Sequence, residues 1–183
     1  KGKTEPITLT AFVEFISDTV TTNPIFSGFI DESSAAQLAA LKPLTNQNTL
    51  TAPLPPAALA QALTMDTEQV TQIFMLRYGM EYTPDKTMSI YEFVSFLTEN
   101  VISDPQYSAM FDDAAKAELY QIKKVADAVV SGKEFTTKEM AEFLGGISDK
   151  FNENTVELFY LYSASLKHDY SQSTMSPETM IKY

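Results

Sequence analysis

The feature that most constrains this chain is an internal repeat. The segment Ile7–Asp31 aligns without a gap to Met88–Asp112, and identical phenylalanines and prolines stand at aligned positions. A weaker match joins Thr51–Leu63 to Thr136–Ile147, and the opening motif starts a third time in Thr174–Tyr183. The period is roughly 80 to 87 residues, which is too long for a solenoid repeat. Duplication of a helical subdomain is therefore predicted.

The repeat also predicts the domain organisation. We expect one helical repeat in residues 1–86, a second in residues 87–173, and the start of a third, truncated motif in residues 174–183. The alternative is one compact domain, because a chain of 183 residues suits either one large domain or two small ones.

Apolar residues recur with a helical period inside each repeat. Within Ile90–Val101 they fall at i, i+3, i+4, i+7 and i+11, which is one face of an α-helix. Ser89 with Glu92, and Thr136 with Glu139, have the spacing of capping boxes. We therefore predict an all-α fold of paired helix–loop–helix elements. The predicted helices lie near residues 8–21, 32–42, 56–64, 67–80, 89–102, 112–130, 136–147, 153–166 and from 177 onward.

Three further segments carry structural expectations. Lys42–Pro55 is rich in Pro, Thr and Asn and is predicted to be a surface loop. The runs Gln69–Met80 and Thr155–Leu166 are apolar on nearly every side and are predicted to be buried helices. A recurrent aromatic cluster either forms a groove for a partner or, as we prefer, fills the gap between two helices of each repeat. Its residues are Phe26, Phe29, Tyr107 and Phe111.

Charge and cysteine content exclude several classes of function. Asp and Glu number 24 against 13 Lys and Arg, giving a formal net charge of −11. Such a surface repels nucleic acid and anionic membranes, since both are bound through basic residues. The chain has no cysteine, which excludes disulfides and thiolate chemistry. No stretch approaches the ~20 apolar residues of a membrane span, and both ends look cut from a longer protein, so we expect any membrane segment to lie outside this chain.

One loop has part of the pattern of an EF-hand. With Glu92 at position 12, Glu81 falls at position 1, Thr83 at position 3 and Asp85 at position 5, so oxygen ligands stand where calcium needs them. Lys86, however, occupies position 6, where the motif has glycine, and its charge opposes a cation. The same glutamate also completes a capping box. We expect no metal site and no cofactor, and we do not expect Ca²⁺ binding.

No catalytic constellation is visible in the sequence. His168 is the single histidine and lies in a polar stretch without a second ligand nearby. Asp112 and Asp113, and Glu153 with Glu157, could in principle act as acid and base, but Asp112 stands where a helix N-cap is expected. The chain is therefore predicted not to be an enzyme.

The phrase MSIYEFVSFLTENVISDP, preceded by IFMLRYGM, resembles the helical extracytoplasmic insertions of predicted bacterial exporters of the RND superfamily, in the MMPL-type branch. Such exporters use the proton gradient through intramembrane residues, none of which this sequence contains. The resemblance implies a soluble, non-catalytic extracellular domain at the extracytoplasmic face of the cell membrane. Its role would be substrate passage, assembly or partner docking, and its partners the remainder of the parent membrane protein or another subunit.

A second hypothesis needs no membrane protein. The paired helix–loop–helix elements also suit a degenerate EF-hand-like module, secreted or cytosolic, that binds a peptide or a partner helix. Flanking transmembrane segments would favour the first hypothesis, and calcium-dependent stabilisation would favour a metal-sensing form of the second.

Overall fold

The computed structural model describes residues 5–26 and 28–167, most of which are helical, so the all-α prediction is confirmed. The predicted third motif at residues 174–183 lies outside the described residues. Within those residues, no helix combines the length and the apolar character that a membrane crossing requires. The α-helices of the described part are α1 (Leu9–Phe15), α2 (Glu32–Leu41), α3 (Gln47–Thr51), α4 (Pro56–Leu63), α5 (Thr67–Tyr78), α6 (Ile90–Phe96), α7 (Pro105–Ser108), α8 (Asp113–Val130), α9 (Thr137–Gly145) and α10 (Glu153–Lys167).

The chain divides into two compact units. Unit 1 combines the residues up to Thr45 with those from Gly132 onward, and unit 2 is the continuous segment Asn46–Ser131. The units are therefore divided at different residues from the repeats that the sequence suggests, which meet at residue 86. The duplication itself stays a proposal.

Unit 1 is organised around a short strand pair and an aromatic core. Strands β1 (Ile7–Thr8) and β2 (Glu134–Phe135) pair antiparallel immediately before α1 and α9. The ring centroid of Phe26 lies 5.9 Å from that of Phe159 and 4.9 Å from that of Tyr162, both on α10. Aromatic pairs at these separations stabilise a core beyond their buried area.

Unit 2 has an equivalent bridge between the residues that precede α4 and α6. The Leu54 N–H donates to the Met88 carbonyl oxygen, and the Met88 N–H donates to the Leu54 carbonyl oxygen, each at 3.0 Å. The side chains of Phe74 on α5 and Phe93 on α6 are fully buried, with ring centroids 6.1 Å apart. The bridge joins the two loops, and the Phe74–Phe93 pair packs α5 against α6.

The two segments that align in sequence, Ile7–Asp31 and Met88–Asp112, both change from an α-helix to a π-helix at aligned residues. The π-helical turns are Ile16–Val20 after α1 and Leu97–Val101 after α6. The N–H of Thr21 donates to the carbonyl oxygen of Ile16 at 2.9 Å, and the N–H of Ile102 donates to that of Leu97 at 2.8 Å. Because π-helices are rare, their recurrence at the same alignment supports our proposal that these segments are copies.

The segment Lys42–Pro55 is not the irregular surface loop that its composition suggests. It contains a 3₁₀-helix, Lys42–Thr45, followed by α3. The Asn46 carboxamide oxygen caps α3 by accepting two backbone N–H groups, at 2.9 and 3.3 Å. Leu50 is fully buried, so tertiary packing favours a helix that these polar residues would not form alone.

The two apolar helices are only partly buried, contrary to the prediction from sequence. Phe74 is fully buried, but Met75 is 48% exposed and Leu76 is 38% exposed on the same helix, and Leu161 on α10 is 42% exposed. The aromatic cluster follows the preferred prediction at Phe26 and Phe111, which are buried, whereas Phe29 and Tyr107 are half-buried.

Candidate functional site

The four candidate ion ligands lie along the loop from α5 to α6 and in the first turn of α6. Glu81, Thr83 and Asp85 are exposed. Oε2 of Glu92 accepts a hydrogen bond from the Ser89 N–H at 2.8 Å, and Oγ of Ser89 accepts one from the Glu92 N–H at 3.1 Å. Glu92 thus closes the capping box that the sequence predicts. No group of three or more His, Cys, Asp or Glu in the described part of the chain is placed to hold a metal ion.

The side chains of this loop are bound to one another. The Tyr78 hydroxyl donates to the Thr87 carbonyl oxygen at 2.8 Å, and the ammonium of Lys86 lies 5.1 Å from the centroid of the Tyr78 ring. A hydrogen bond from the Thr83 side chain, together with the backbone N–H of Asp85, lowers the pKa of the Asp85 carboxyl. The loop conformation is therefore fixed by its own hydrogen bonds, with a lysine at the position where an EF-hand has glycine.

The carboxylates considered as acid and base have structural positions. Asp112 is the N-cap of α8, and its Oδ1 accepts the N–H three residues on at 2.8 Å. Asp113 is fully exposed. Glu153 and Glu157 lie one turn apart at the start of α10, and His168 lies outside the described residues.

A groove of about 490 Å³ runs beside the end of α5 and along α6. Its charged side chains have partners already. The Arg77 guanidinium lies 5.7 Å from the ring centroid of Phe96, Glu92 closes its capping box, and Oε1 of Glu99 lies 3.6 Å from Nζ of Lys123. The groove has charges of both signs, so it offers no single electrostatic preference to a ligand.

Lys123 on α8 borders this region and is held by acidic neighbours. Its Nζ donates to both carboxylate oxygens of Asp127 at 2.7 Å and lies 5.7 Å from the ring centroid of Tyr91. Desolvation lowers the pKa of Lys123, but the hydrogen bond and charge of Asp127, with the charges of Tyr91 and Glu99, outweigh it and raise the pKa above its ordinary value. This environment favours the protonated ammonium, and a protonated lysine is neither a nucleophile nor a base.

A second groove in unit 2, which we call the methionine groove, lies between the α4–α5 turn and the α7–α8 region. It has a volume of about 280 Å³. Its floor is apolar and its rim carries three exposed carboxylates. The floor comprises Leu63, Met65, Met110, Phe111, Leu119 and Ile122, and the rim carries Asp66, Asp112 and Glu118.

Local structure explains why these side chains converge. Thr64 ends α4 in the left-handed conformation, with φ 54°, and so turns the chain sharply into α5. Asp66 caps α5 by accepting two backbone N–H groups, at 2.9 and 3.1 Å. Across the groove, Nε2 of Gln69 donates to the Met110 carbonyl oxygen at 3.3 Å and joins the two walls. Leu119, a floor residue that is only 5% exposed, holds α8 against the rest of the unit.

The methionine groove was not found by sequence reasoning. Its two walls are separated by about forty residues in the chain, and no motif spans them. The one available signal is that Asp66 and Asp112 each directly follow an apolar stretch that contains a methionine. That signal is too common in helical proteins to predict a site.

Comparisons with known proteins identify no relative. No protein-family model, curated protein or solved structure matches this chain.

Proposed function

We propose that this chain is a non-catalytic protein-interaction domain. The observation that carries the proposal is the methionine groove, an apolar floor with Asp66, Asp112 and Glu118 along its rim. Methionine side chains are flexible and polarisable, and binding surfaces use them to adapt to a partner. The groups with catalytic potential support a non-catalytic role, because Asp112 caps a helix and Lys123 is held in ion pairs.

The frame of unit 2 is, in this proposal, a degenerate EF-hand-like pair. Met88 stands at position 8 of the candidate loop, and its two hydrogen bonds with Leu54 support this proposal because they join two loops by a short antiparallel pairing. The lysine at position 6 and the capping role of Glu92 favour a frame that works without calcium. The pair would then position helices for a partner.

The setting that we propose is the extracytoplasmic domain of an RND-type exporter of the MMPL branch. Its support is the sequence resemblance within Met88–Pro105. The partner of the groove would then be another part of the transporter or an associated subunit. The complete reading frame tests this setting. Several long apolar helices on each side of the chain would support it, and a full-length protein without any membrane segment would contradict it.

The interaction proposal is tested by site-specific photo-crosslinking in cells that express the full-length protein. A photoreactive amino acid replaces Met65 in the groove and, as a matched control, Met80, whose side chain is fully exposed outside it. We expect a defined protein or protein segment, identified by mass spectrometry, to crosslink at the first site and not at the second. Equal labelling at both sites, or none at the groove, would contradict the proposal.

A further inference from the structure

We propose that the methionine groove docks a cationic amphipathic helix, with the apolar face of the helix on the floor and its lysines or arginines against the rim. This inference rests on the proposed interaction function and names the chemistry of the partner. Three properties of the groove lead to it, namely its size, the stripe of residues on α8 and the sign of its charge.

The groove has room for a few side chains of a peptide. Its volume of about 280 Å³ lies just below the ~300 to 1,000 Å³ that small-molecule sites usually have. A helix that lies in a groove needs room only for the few side chains on its apolar face. The groove is therefore large enough for the apolar side chains of a docked helix.

The wall formed by α8 presents a stripe that a helix can follow. Ala115, Glu118, Leu119 and Ile122 line the groove at i, i+3, i+4 and i+7. Residues with this spacing lie on one face of a helix, so the wall extends for about two turns, with three apolar residues and the rim residue Glu118. A partner helix would place its own apolar residues along it with the same spacing.

The rim selects positive charge. Asp66, Asp112 and Glu118 are all exposed, and no Lys or Arg is among the described residues that line the groove. Asp66 and Asp112 are the N-caps of α5 and α8, so capping hydrogen bonds hold their carboxylates in place and the helix dipoles offset part of their charge. Glu118 caps no helix and contributes its whole charge to the rim. Within Asn46–Ser131 eleven acidic residues face only five basic ones, so the surrounding field has the same sign and would speed the approach of a cationic partner.

The same charges disfavour other occupants. A second copy of this chain packed groove to groove would bring like charges together, which opposes association. Nucleic acid and anionic lipid surfaces are repelled for the same reason. A cationic amphipathic helix is complementary both to the apolar floor and to the acidic rim.

The test measures fluorescence anisotropy of a labelled model helix with the complete 183-residue chain. The probe has leucines at i, i+3, i+4 and i+7 and lysines on the opposite face. One comparison peptide has the same composition with the leucines scattered around the helix, and another has glutamate in place of lysine. We expect the probe to bind about tenfold more tightly than either at low ionic strength. Added salt should reduce the difference from the glutamate peptide, because it screens the rim charges, and should leave the difference from the scattered peptide nearly unchanged.

Matched variants assign binding to the groove. Asp112→Asn with Glu118→Gln removes two rim charges and keeps the helix cap, because asparagine caps as well as aspartate. Glu81→Gln with Asp85→Asn makes the same charge change in the same unit but outside the groove. We expect the first pair to weaken binding of the probe about tenfold at low salt and the second pair to change it less than twofold. Circular dichroism confirms that each variant is folded.

A second pair tests the floor. Met65→Gln should weaken binding about tenfold, because it puts a polar amide on the apolar floor, whereas Met80→Gln, at a fully exposed site, should not. Equal binding of the scattered peptide, or equal effects of groove and control variants, would overturn the inference. Preference for the glutamate peptide would also overturn it. If a partner crosslinks at Met65 but no cationic helix binds, the partner chemistry is wrong and the interaction function stands.

Discussion

Replacing Tyr160 by phenylalanine should destabilise unit 1 by about 1 to 2 kcal/mol. Tyr160 on α10 is 3% exposed, and its hydroxyl donates to the carbonyl oxygen of Phe135 in β2 at 2.7 Å. A buried hydrogen bond contributes about 1 kcal/mol net, and an acceptor left without its partner adds a desolvation cost of about the same size or more. Packing of the ring is unchanged by the substitution, so the effect reports the hydroxyl alone.

The pH dependence of the difference is a sharper test than its size. Burial, and to a lesser degree the charge of Glu139, raises the pKa of Tyr160 well above its ordinary value, and a backbone hydrogen bond from Ile7 offsets only part of this. The unfolded chain ionises at this residue near pH 10 while the folded protein does not. The stability that Tyr160 contributes is therefore complete below about pH 10 and is lost as the pH rises toward the folded pKa, at up to about 1.4 kcal/mol per unit.

Urea titrations followed by helical circular dichroism provide the assay, since the chain has no tryptophan. Tyr120→Phe is the control, because Tyr120 is 49% exposed on α8 and should change the free energy of unfolding by less than about 0.5 kcal/mol. The thermal midpoint of Tyr160→Phe should fall by roughly 2 to 8 °C. A variant as stable as the wild type at neutral pH would refute the reasoning. So would a difference that stays constant between about pH 9 and pH 11.

Three other predictions concern the backbone, acid stability and calcium. Gly79 has φ 55° and ψ −126°, a backbone conformation that strains a residue with a Cβ, so Gly79→Ala should lower the free energy of unfolding by about 1 to 3 kcal/mol in thermal melts. Gly145→Ala, in α9 with open space around it, should be neutral or slightly stabilising. Equal losses of stability in the two variants would contradict the backbone explanation. Backbone and side-chain hydrogen bonds from Ser34 lower the pKa of Asp31, so its contribution is present above about pH 4 and is lost as the pH falls through the folded pKa. Asparagine at position 31 keeps the cap but has no charge. The urea midpoint of Asp31→Asn should therefore approach that of the wild type as the pH is lowered from neutral to pH 3, because the wild type loses the contribution of the Asp31 charge. Millimolar calcium should leave the melting temperature unchanged, and a calcium-dependent rise that Glu92→Gln abolishes would restore an ion-binding loop.

Helix positions could be predicted well because their signals are local. The capping box at Ser89 and the N-caps at Asp66 and Asp112 lie within one turn of the backbone groups that they satisfy, and the apolar period extends over a few turns. The helix predicted over residues 112–130 accordingly corresponds to Asp113–Val130. Helix α3 was missed because five residues are too few to show a period, and its stability depends on the burial of Leu50.

The candidate site could not be predicted in the same way. The sequence pointed to Glu81, Thr83, Asp85 and Glu92, which follow one another along a loop, because a motif search finds residues that are neighbours in the chain. The methionine groove depends instead on the tertiary approach of two segments, joined by the hydrogen bond from Gln69. Nor does apolar character distinguish floor residues from buried ones, since exposure is decided by packing.

The boundaries of the two units show that the period of a sequence repeat does not determine where a folded module begins. Unit 2 is a continuous segment of 86 residues, close to the period of the proposed duplication. In it the helix pair α4 and α5 comes first, and the second aligned segment, Met88–Asp112, follows; α3 and α8 lie at its two ends. Unit 1 has the same two parts in the opposite order along the chain, with the opening motif near its start and the pair α9 and α10 near its end. Alignment gives the spacing of the copies but not the residue at which a folded module begins, because every starting point gives the same period.

Which helix pair packs with which opening motif is decided by burial, and in each unit the helix pair and the opening motif come from different predicted repeats. On the duplication that we propose, the folding module is therefore a helix pair packed with an opening motif, in either order along the chain. Asn46–Ser131 holds both parts in one continuous segment, so it is the segment to express alone. It should give a cooperative, helical unfolding transition, whereas residues 1–86, cut at the phase of the sequence repeat, should not.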